Sequence, residues 1–207
     1  MRTILVINLK GGCGKTTVAT HIAAAMARSS AATGLADLDR QGSARRWLKL
    51  RPARAEAIQG LDWSKALGKP PRGVDRLILD SPAGLRGDAL TAAVDLADCI
   101  VAPILPSVFD EMATDRFLKR IDKIKAVAKG ATPTLLVANR YRPNSIAGRR
   151  LEAYIAGAGR SLTARIVERA LYADLATQGL TLFDQTTASA RRIQEEWMPL
   201  LEAVDRA

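Results

Sequence analysis

Short runs of aliphatic and β-branched residues recur along the chain and alternate with stretches whose apolar positions repeat every three or four residues. Residues 3–8, 34–39, 74–80, 99–105 and 134–139 read as strands. Several are apolar throughout rather than alternating, the pattern of parallel strands covered on both faces. Between them, residues 15–28 carry Val18, Ile22, Ala25 and Met26 at helical spacing, and residues 110–129 carry Met112, Phe117, Ile121, Ile124 and Val127 likewise. A last helix is expected over residues 185–207, with Ile193, Trp197, Leu200, Leu201 and Val204 along one side and a break or kink near Pro199. Residues 66–73 (ALGKPPRG) form a Pro/Gly-rich connector. The alternation predicts an α/β fold: a doubly wound, mostly parallel sheet flanked by helices, with right-handed crossovers. A ligand then sits at the carboxyl ends of the strands.

The chain has 207 residues and 48% hydrophobic content, enough for one compact domain over residues 1–207 and too apolar for disorder. No apolar run approaches the roughly 18 residues of a membrane span. The N-terminal MRTILVINLK reads as a first strand rather than a secretory signal, so a cytoplasmic protein is expected. Cys13 and Cys99 cannot form a C-x-x-C metal site and are expected to be free thiols. Lys+Arg is 31 against Asp+Glu 21, a formal net charge of +10. Arg40, Arg45, Arg46, Lys49, Arg51 and Arg54 form one acid-free cluster, and Arg140, Arg142, Arg149 and Arg150 a second. Either alone could be an ordinary solvated face; together they favour a polyanionic partner.

The strongest chemical signal is Lys10-Gly11-Gly12-Cys13-Gly14-Lys15-Thr16-Thr17, after an apolar strand and opening a helix. Glycines let backbone N–H groups turn inward around a phosphate and the helix N-terminus adds partial positive charge. Lys15 reaches the β and γ phosphates, and the Thr16 hydroxyl can ligate Mg²⁺. Chance occurrence of such a string in a chain this long is roughly a few in 10⁵. Leu77-Ile78-Leu79-Asp80-Ser81-Pro82-Ala83-Gly84 has the form of a Walker B segment, an apolar strand ending in an acid and a Pro/Gly turn. Asp80 would hold Mg²⁺ through a water, since Mg²⁺ gives up its hydration reluctantly.

An ordinary Walker A box has glycine at position 9, where this chain has Leu9, and asks for no lysine at position 10. K-G-G-x-G-K-T-T resembles the deviant Walker A box of the ParA/MinD family of ATPases. That resemblance implies ATP and Mg²⁺ as ligands and a nucleotide-sandwich homodimer in which Lys10 reaches the partner's phosphates. Asp37-Leu38-Asp39-Arg40-Gln41-Gly42-Ser43 resembles the family's D-x-D-P-Q-G-[NS] box, with Arg40 in place of proline. It makes Asp39 the residue that positions the attacking water and places Asp37 behind the metal. By itself Asp39 could equally be a turn or N-cap residue. The resemblance makes Ser81 to Gly84 the switch that senses the γ phosphate, and Asn139 the residue that binds adenine, although an Asn ending a strand is also an ordinary turn residue. The likeness spans residues 3–204, with its sharpest match at residues 10–17.

The same resemblance implies an ATP-switched positioning protein, slow in hydrolysis, that moves a plasmid, a chromosome origin, a division regulator or a protein assembly. The basic balance favours non-specific DNA as its surface, hence nucleoid association, and the resemblance implies a ParB-like or cargo-borne adaptor as activator. Arg191 and Arg192, then Arg149 and Arg150, are the candidate DNA contacts. With the phosphate loop starting at residue 10, an N-terminal DNA-reading domain is not expected. A MinD-like membrane form would need a basic terminal helix, whereas Glu195, Glu196, Glu202 and Asp205 outnumber Arg191, Arg192 and Arg206 here. An iron-protein reductase would need a cysteine pair beyond the Walker B segment, where only Cys99 lies. A synthetase or small-molecule kinase on the same fold stays open at this point.

Overall fold

The computed structural model describes the backbone of residues 1–207 and the side chains of all but residues 108–112. Its elements are β1 (Arg2–Val6), α1 (Lys15–Arg28), β2 (Thr33–Asp37), α2 (Ser43–Leu50), β3 (Gln59–Asp62), β4 (Arg76–Asp80), α3 (Gly87–Asp95) and β5 (Cys99–Ile104). Then come α4 (Val108–Ile121), α5 (Lys125–Ala128), β6 (Thr134–Tyr141), α6 (Ile146–Gly157), β7 (Leu162–Val167) and α7 (Leu171–Ala176). A 3₁₀ turn (Leu182–Asp184), α8 (Ala188–Glu195) and α9 (Met198–Arg206) complete the chain.

The seven strands form one sheet in the order β3-β2-β4-β1-β5-β6-β7. Every pairing is parallel. Side chains alternate between its two faces as strand geometry requires. Ile4, Val6, Ile78 and Val101 pack on one face with residues of α1, α2, α8 and α9. Leu5, Ile7, Leu79 and Ile100 pack on the other with residues of α3, α4 and α6. The apolar strands are therefore covered twice, and α1, whose Ala19, Ala23 and Ala24 are buried, lies close against the sheet.

The register sets the site. Val6 stands beside both Asp80 and Val101, and Asp37 beside Asp80, so β1, β2 and β4 end together. Chain order changes direction about β1, which is flanked by β4 and β5. This is the switch point at which an open α/β sheet opens a crevice.

The five expected strands are present, with two more at the edges. β3 has the burial of a half-paired edge, and its sequence QGLD carries no apolar repeat. The helix expected over residues 110–129 is divided. After α4 the chain turns extended at Ile124, which enters the core, and α5 follows. Met112 lies outside the described residues. The terminal helix breaks at Glu196 and Trp197, just ahead of Pro199, which occupies the first turn of α9 where its missing N–H costs nothing. Among the described residues, no helix is long and apolar enough to cross a membrane.

Candidate nucleotide site

The loop between β1 and α1 is pinned at its entry by Asn8. Its amide donates to the Pro103 carbonyl at 2.8 Å, and its oxygen accepts the Lys10 N–H at 3.0 Å. Gly12 and Gly14 have φ of 76° and 90°, the left-handed region that side chains disfavour. A Cβ on Gly14 would stand 2.1 Å from Asn139 Nδ2. α1 starts at Lys15 with no side-chain cap and no acid in its first turn. Its leading N–H groups and positive dipole end are thereby presented toward an anion. Lys15 is buried; its ammonium donates to the Lys10 carbonyl at 3.0 Å and stands 4.0 Å from Cys13 Sγ. Lys10, Gly11, Gly12, Cys13 and Gly14 thus form the loop that leads into α1, and Lys15, Thr16 and Thr17 form that helix's first turn.

The Thr16 hydroxyl donates to Asp80 Oδ2 at 2.7 Å. The other oxygen, Oδ1, is buried without a hydrogen-bond partner, as is the hydroxyl of neighbouring Ser81. Burial, with the negative charges of Asp37 and Asp39 nearby, pushes the Asp80 carboxyl up to about 7 against the pull of Thr16 and Lys15. A buried carboxylate held that far above its ordinary range, with one oxygen open beside a threonine hydroxyl, is a hard oxygen donor set short of a cation. Mg²⁺ fits these donors. No group of three or more His, Cys, Asp or Glu gathers as a metal nest among the described residues. Mg²⁺ does not need one where phosphates supply the remaining ligands.

Asp37 is fully buried and its oxygens are engaged, Oδ1 by the Asp39 N–H at 2.9 Å and Oδ2 by the Arg45 N–H at 3.0 Å. It stands beside Asp80 but holds together the turn and the start of α2. Asp39 is half-buried; its Oδ1 accepts the Gln41 N–H at 2.9 Å, so it does shape the turn, and its charge also reaches Asp80. The segment after Asp80 faces the phosphate loop, with Ala83 Cβ 3.8 Å from where a Gly11 Cβ would be.

Asn139 is buried and its amide donates to the Cys13 carbonyl at 2.8 Å, tying β6 to the phosphate loop. Next to it the backbone turns left-handed at Arg140, with φ of 50°. There the β6–β7 register also slips. A cavity of about 460 Å³ opens at this point, lined by Gly14, Thr17, Asn139, Arg169 and Tyr172 among others. Its position beside the loop and its size suit a nucleoside.

The basic clusters are less free than their sequence suggests. Arg51 is paired inside the protein with Asp184 at 2.8 Å, the two side chains 5% and 9% exposed, and it stacks over Trp47. Arg45 bridges Asp37 and Asp62, Arg46 donates to the Gln41 carbonyl, and Arg142 pairs with Glu168. The four DNA candidates are exposed but divided. Arg149 and Arg150 ride on α6, which packs through Leu151 on one face of the sheet, and Arg191 and Arg192 on α8, which packs through Ala190 on the other.

Sequence reasoning passed over the single histidine. His21 is buried with Nδ1 2.7 Å from the Thr17 carbonyl and Nε2 accepting the Leu182 N–H at 3.3 Å, and it stacks on Trp197 at 4.7 Å. Burial pushes it down to about 4. The ring is therefore neutral, with its proton on Nδ1. Its only sequence signal was its place on the apolar side of α1.

The model of the CbiA family, the CobQ/CobB/MinD/ParA nucleotide-binding domain, matches residues 4–182. The chain belongs to this family. It is a nucleotide-binding P-loop ATPase of the ParA/MinD type, in agreement with the loop, the sheet order and the switch-point crevice. A curated relative, "Maintenance of carboxysome distribution protein A" of Halothiobacillus neapolitanus, is 30% identical over 214 residues, covering 98% of this chain and 95% of that protein. Among solved structures, apo McdA of Cyanothece superposes with a TM-score of 0.75 at 19% identity, covering 100% of this chain and 98% of that one. A Borrelia burgdorferi putative plasmid partition protein bound to AMPPNP gives a TM-score of 0.74 at 16% identity, covering 98% and 99%. These two likenesses show the shared fold.

Proposed function

We propose that this chain is an ATP-switched positioning ATPase. As a homodimer it rests on non-specific nucleoid DNA and distributes a protein-assembly cargo through an adaptor that stimulates hydrolysis. The observation that carries this reading is Lys10 on the rim of a phosphate loop whose second lysine, Lys15, is bonded to the Lys10 carbonyl. A cation at that place can serve a second protomer's phosphates, much as an arginine finger does. The protein-assembly cargo is favoured over a plasmid because the relative aligned over nearly all of this chain is named for carboxysome distribution.

In this reading the first turn of α1 and Lys15 bind the β and γ phosphates. Thr16 and Asp80 hold Mg²⁺, which when bound neutralises charge on those phosphates. Asp39 orients the attacking water with the oxygen not used by Gln41, and Asp37 keeps Asp39 in place. Asn139, its amide nitrogen committed to Cys13, offers its oxygen to the adenine amino group. Arg191 and Arg192 touch DNA phosphates, and dimerisation doubles those contacts, so that DNA binding follows ATP. The membrane alternative loses ground because the apolar side of α9 is spent internally: Leu200, Leu201 and Val204 are all buried in the core.

The test is fluorescence anisotropy on random-sequence duplex DNA with no nucleotide, ADP, or ATP plus Mg²⁺. Binding with ATP alone supports the switch; equal or absent binding in all three refutes it. Arg191→Ala/Arg192→Ala should then weaken binding and flatten its salt dependence with ATP affinity intact. Asp39→Ala should hold ATP and DNA without turnover, whereas Lys15→Gln should lose both ligands.

A further inference from the structure

One wall of the 460 Å³ cavity is the turn from β7 into α7, with Val167, Arg169 and Tyr172 facing it. Glu168 and Ala170, on either side of Arg169, are exposed; Leu171 and Tyr172 beyond them rest against the core, and the Glu168 N–H bonds the Tyr141 carbonyl at 3.0 Å. The Arg169 side chain itself is held from a distance, by the break between α8 and α9. The Glu196 carboxylate accepts from Arg169 Nη1 at 2.7 Å and Nη2 at 2.6 Å, a two-pronged pair, and from the Val167 N–H at 3.3 Å. The next residue, fully buried Trp197, donates its indole N–H to the Tyr172 hydroxyl at 3.2 Å. Two adjacent residues of the break therefore grip two successive segments of the cavity wall.

We infer that Glu196 is a positioning residue for nucleoside recognition, fixing through Arg169 and the Val167 N–H the wall against which the base rests. This rests on the proposed seating of the nucleoside beside Asn139. A forked guanidinium–carboxylate pair fixes orientation as well as distance, which a lysine cannot reproduce. The side chains of Arg169 and Glu196 are 27% and 25% exposed, so water only partly competes for them. A pair that merely added stability would lower the melting temperature and treat all phosphate ligands alike. A positioning pair changes affinity for ligands that carry a base and spares those that do not.

The experiment measures equilibrium affinity of the full-length chain for Mg-ATP and for Mg-tripolyphosphate, with melting curves alongside, in wild type, Glu196→Gln, Arg169→Lys and Asn139→Ala. Loss of one charged hydrogen-bonded pair predicts about tenfold weaker ATP binding in Glu196→Gln and Arg169→Lys, with tripolyphosphate unchanged. In turnover the same loss reads as a raised KM rather than a lowered kcat. Equal losses for ATP and tripolyphosphate would overturn the inference. So would wild-type ATP affinity in Glu196→Gln and Arg169→Lys while Asn139→Ala loses it, an outcome that keeps the base in the cavity and removes only the latch. Wild-type affinity in all three variants would remove the seating of the nucleoside, and the inference with it. Arg169→Lys reads the same pair from its other end should Glu196→Gln fail to fold.

Discussion

Asp80→Asn should make the nucleotide-free protein more stable at alkaline pH while depriving it of its cation. The native Asp80 carboxyl is raised from 3.8 to about 7, chiefly by burial. Between those values the native chain holds a proton that the unfolded chain has lost, so stability falls as pH rises through that window and is flat above it. A rise of about three pH units corresponds to on the order of 4 kcal/mol. Asparagine carries no charge to bury, and its oxygen can still accept the Thr16 hydroxyl. The variant should therefore match wild type near pH 4 and exceed it by on the order of 4 kcal/mol at pH 8, or roughly 10 °C for a chain of this size. Urea unfolding from pH 4 to 8.5 in a chelator measures the difference directly. With Mg²⁺ and ATP at pH 8 the order should reverse, because only the wild type gains ligand stabilisation. A variant no more stable than wild type at pH 8 would show that the carboxylate is already satisfied without a cation, and the metal assignment would fall with it.

The same asparagine variant should uncover a second titration. His21, lowered to about 4, stays neutral in the fold while the unfolded chain protonates near 6.5, so stability should climb by about 3 kcal/mol from pH 4 to 6.5 once the opposing Asp80 slope is gone. A flat curve there would refute the buried neutral ring. Gly14→Ala places a Cβ 2.1 Å from the Asn139 amide at a φ of 90°. It should therefore cost ATP binding at least tenfold by calorimetry, and near-wild-type affinity would contradict this loop geometry. Arg51→Ala leaves Asp184 buried without its cation and should lose about 3 kcal/mol by chemical denaturation. A loss under 1 kcal/mol would show that other donors suffice.

The parts of the fold legible in the sequence are those whose signals are local. β1, β4 and β5 are apolar on both faces because helices cover both, and the loop declares itself through glycines at fixed spacing from Lys15 and Thr16. β7 did carry a signal, since Leu162, Ala164 and Ile166 alternate with Thr163 and Arg165, but the run is short and its apolar residues partly small. β3 carried none: as an edge strand it pairs on one side and leaves most of its residues to solvent. The pairing within the charge clusters was hidden for a different reason. Arg51 stands in an acid-free stretch, yet its partner Asp184 lies 133 residues away, and only folding brings the two together. Arg169 and Glu196, 27 residues apart on different elements, were invisible for the same cause.

Placement rather than net charge therefore has to decide where a polyanion would lie. Arg45, Arg46, Arg51 and Arg142 are committed to internal or local partners, and both candidate pairs have one member tied to a nearby carbonyl, Arg149 to Asn144 and Arg191 to Thr186. Arg149 and Arg150 sit over one face of the sheet, Arg191 and Arg192 over the other. One duplex resting on one face of a protomer cannot meet both pairs. Of the two, α8 is followed directly by Glu196, which grips the cavity wall through Arg169 and Val167, so that wall and the Arg191/Arg192 surface are joined within a single chain. α6 makes its contacts on the far side of the sheet. An ATP-dependent DNA contact is therefore better sought on α8, and a salt slope altered by Arg149→Ala/Arg150→Ala but not by Arg191→Ala/Arg192→Ala would reverse that assignment.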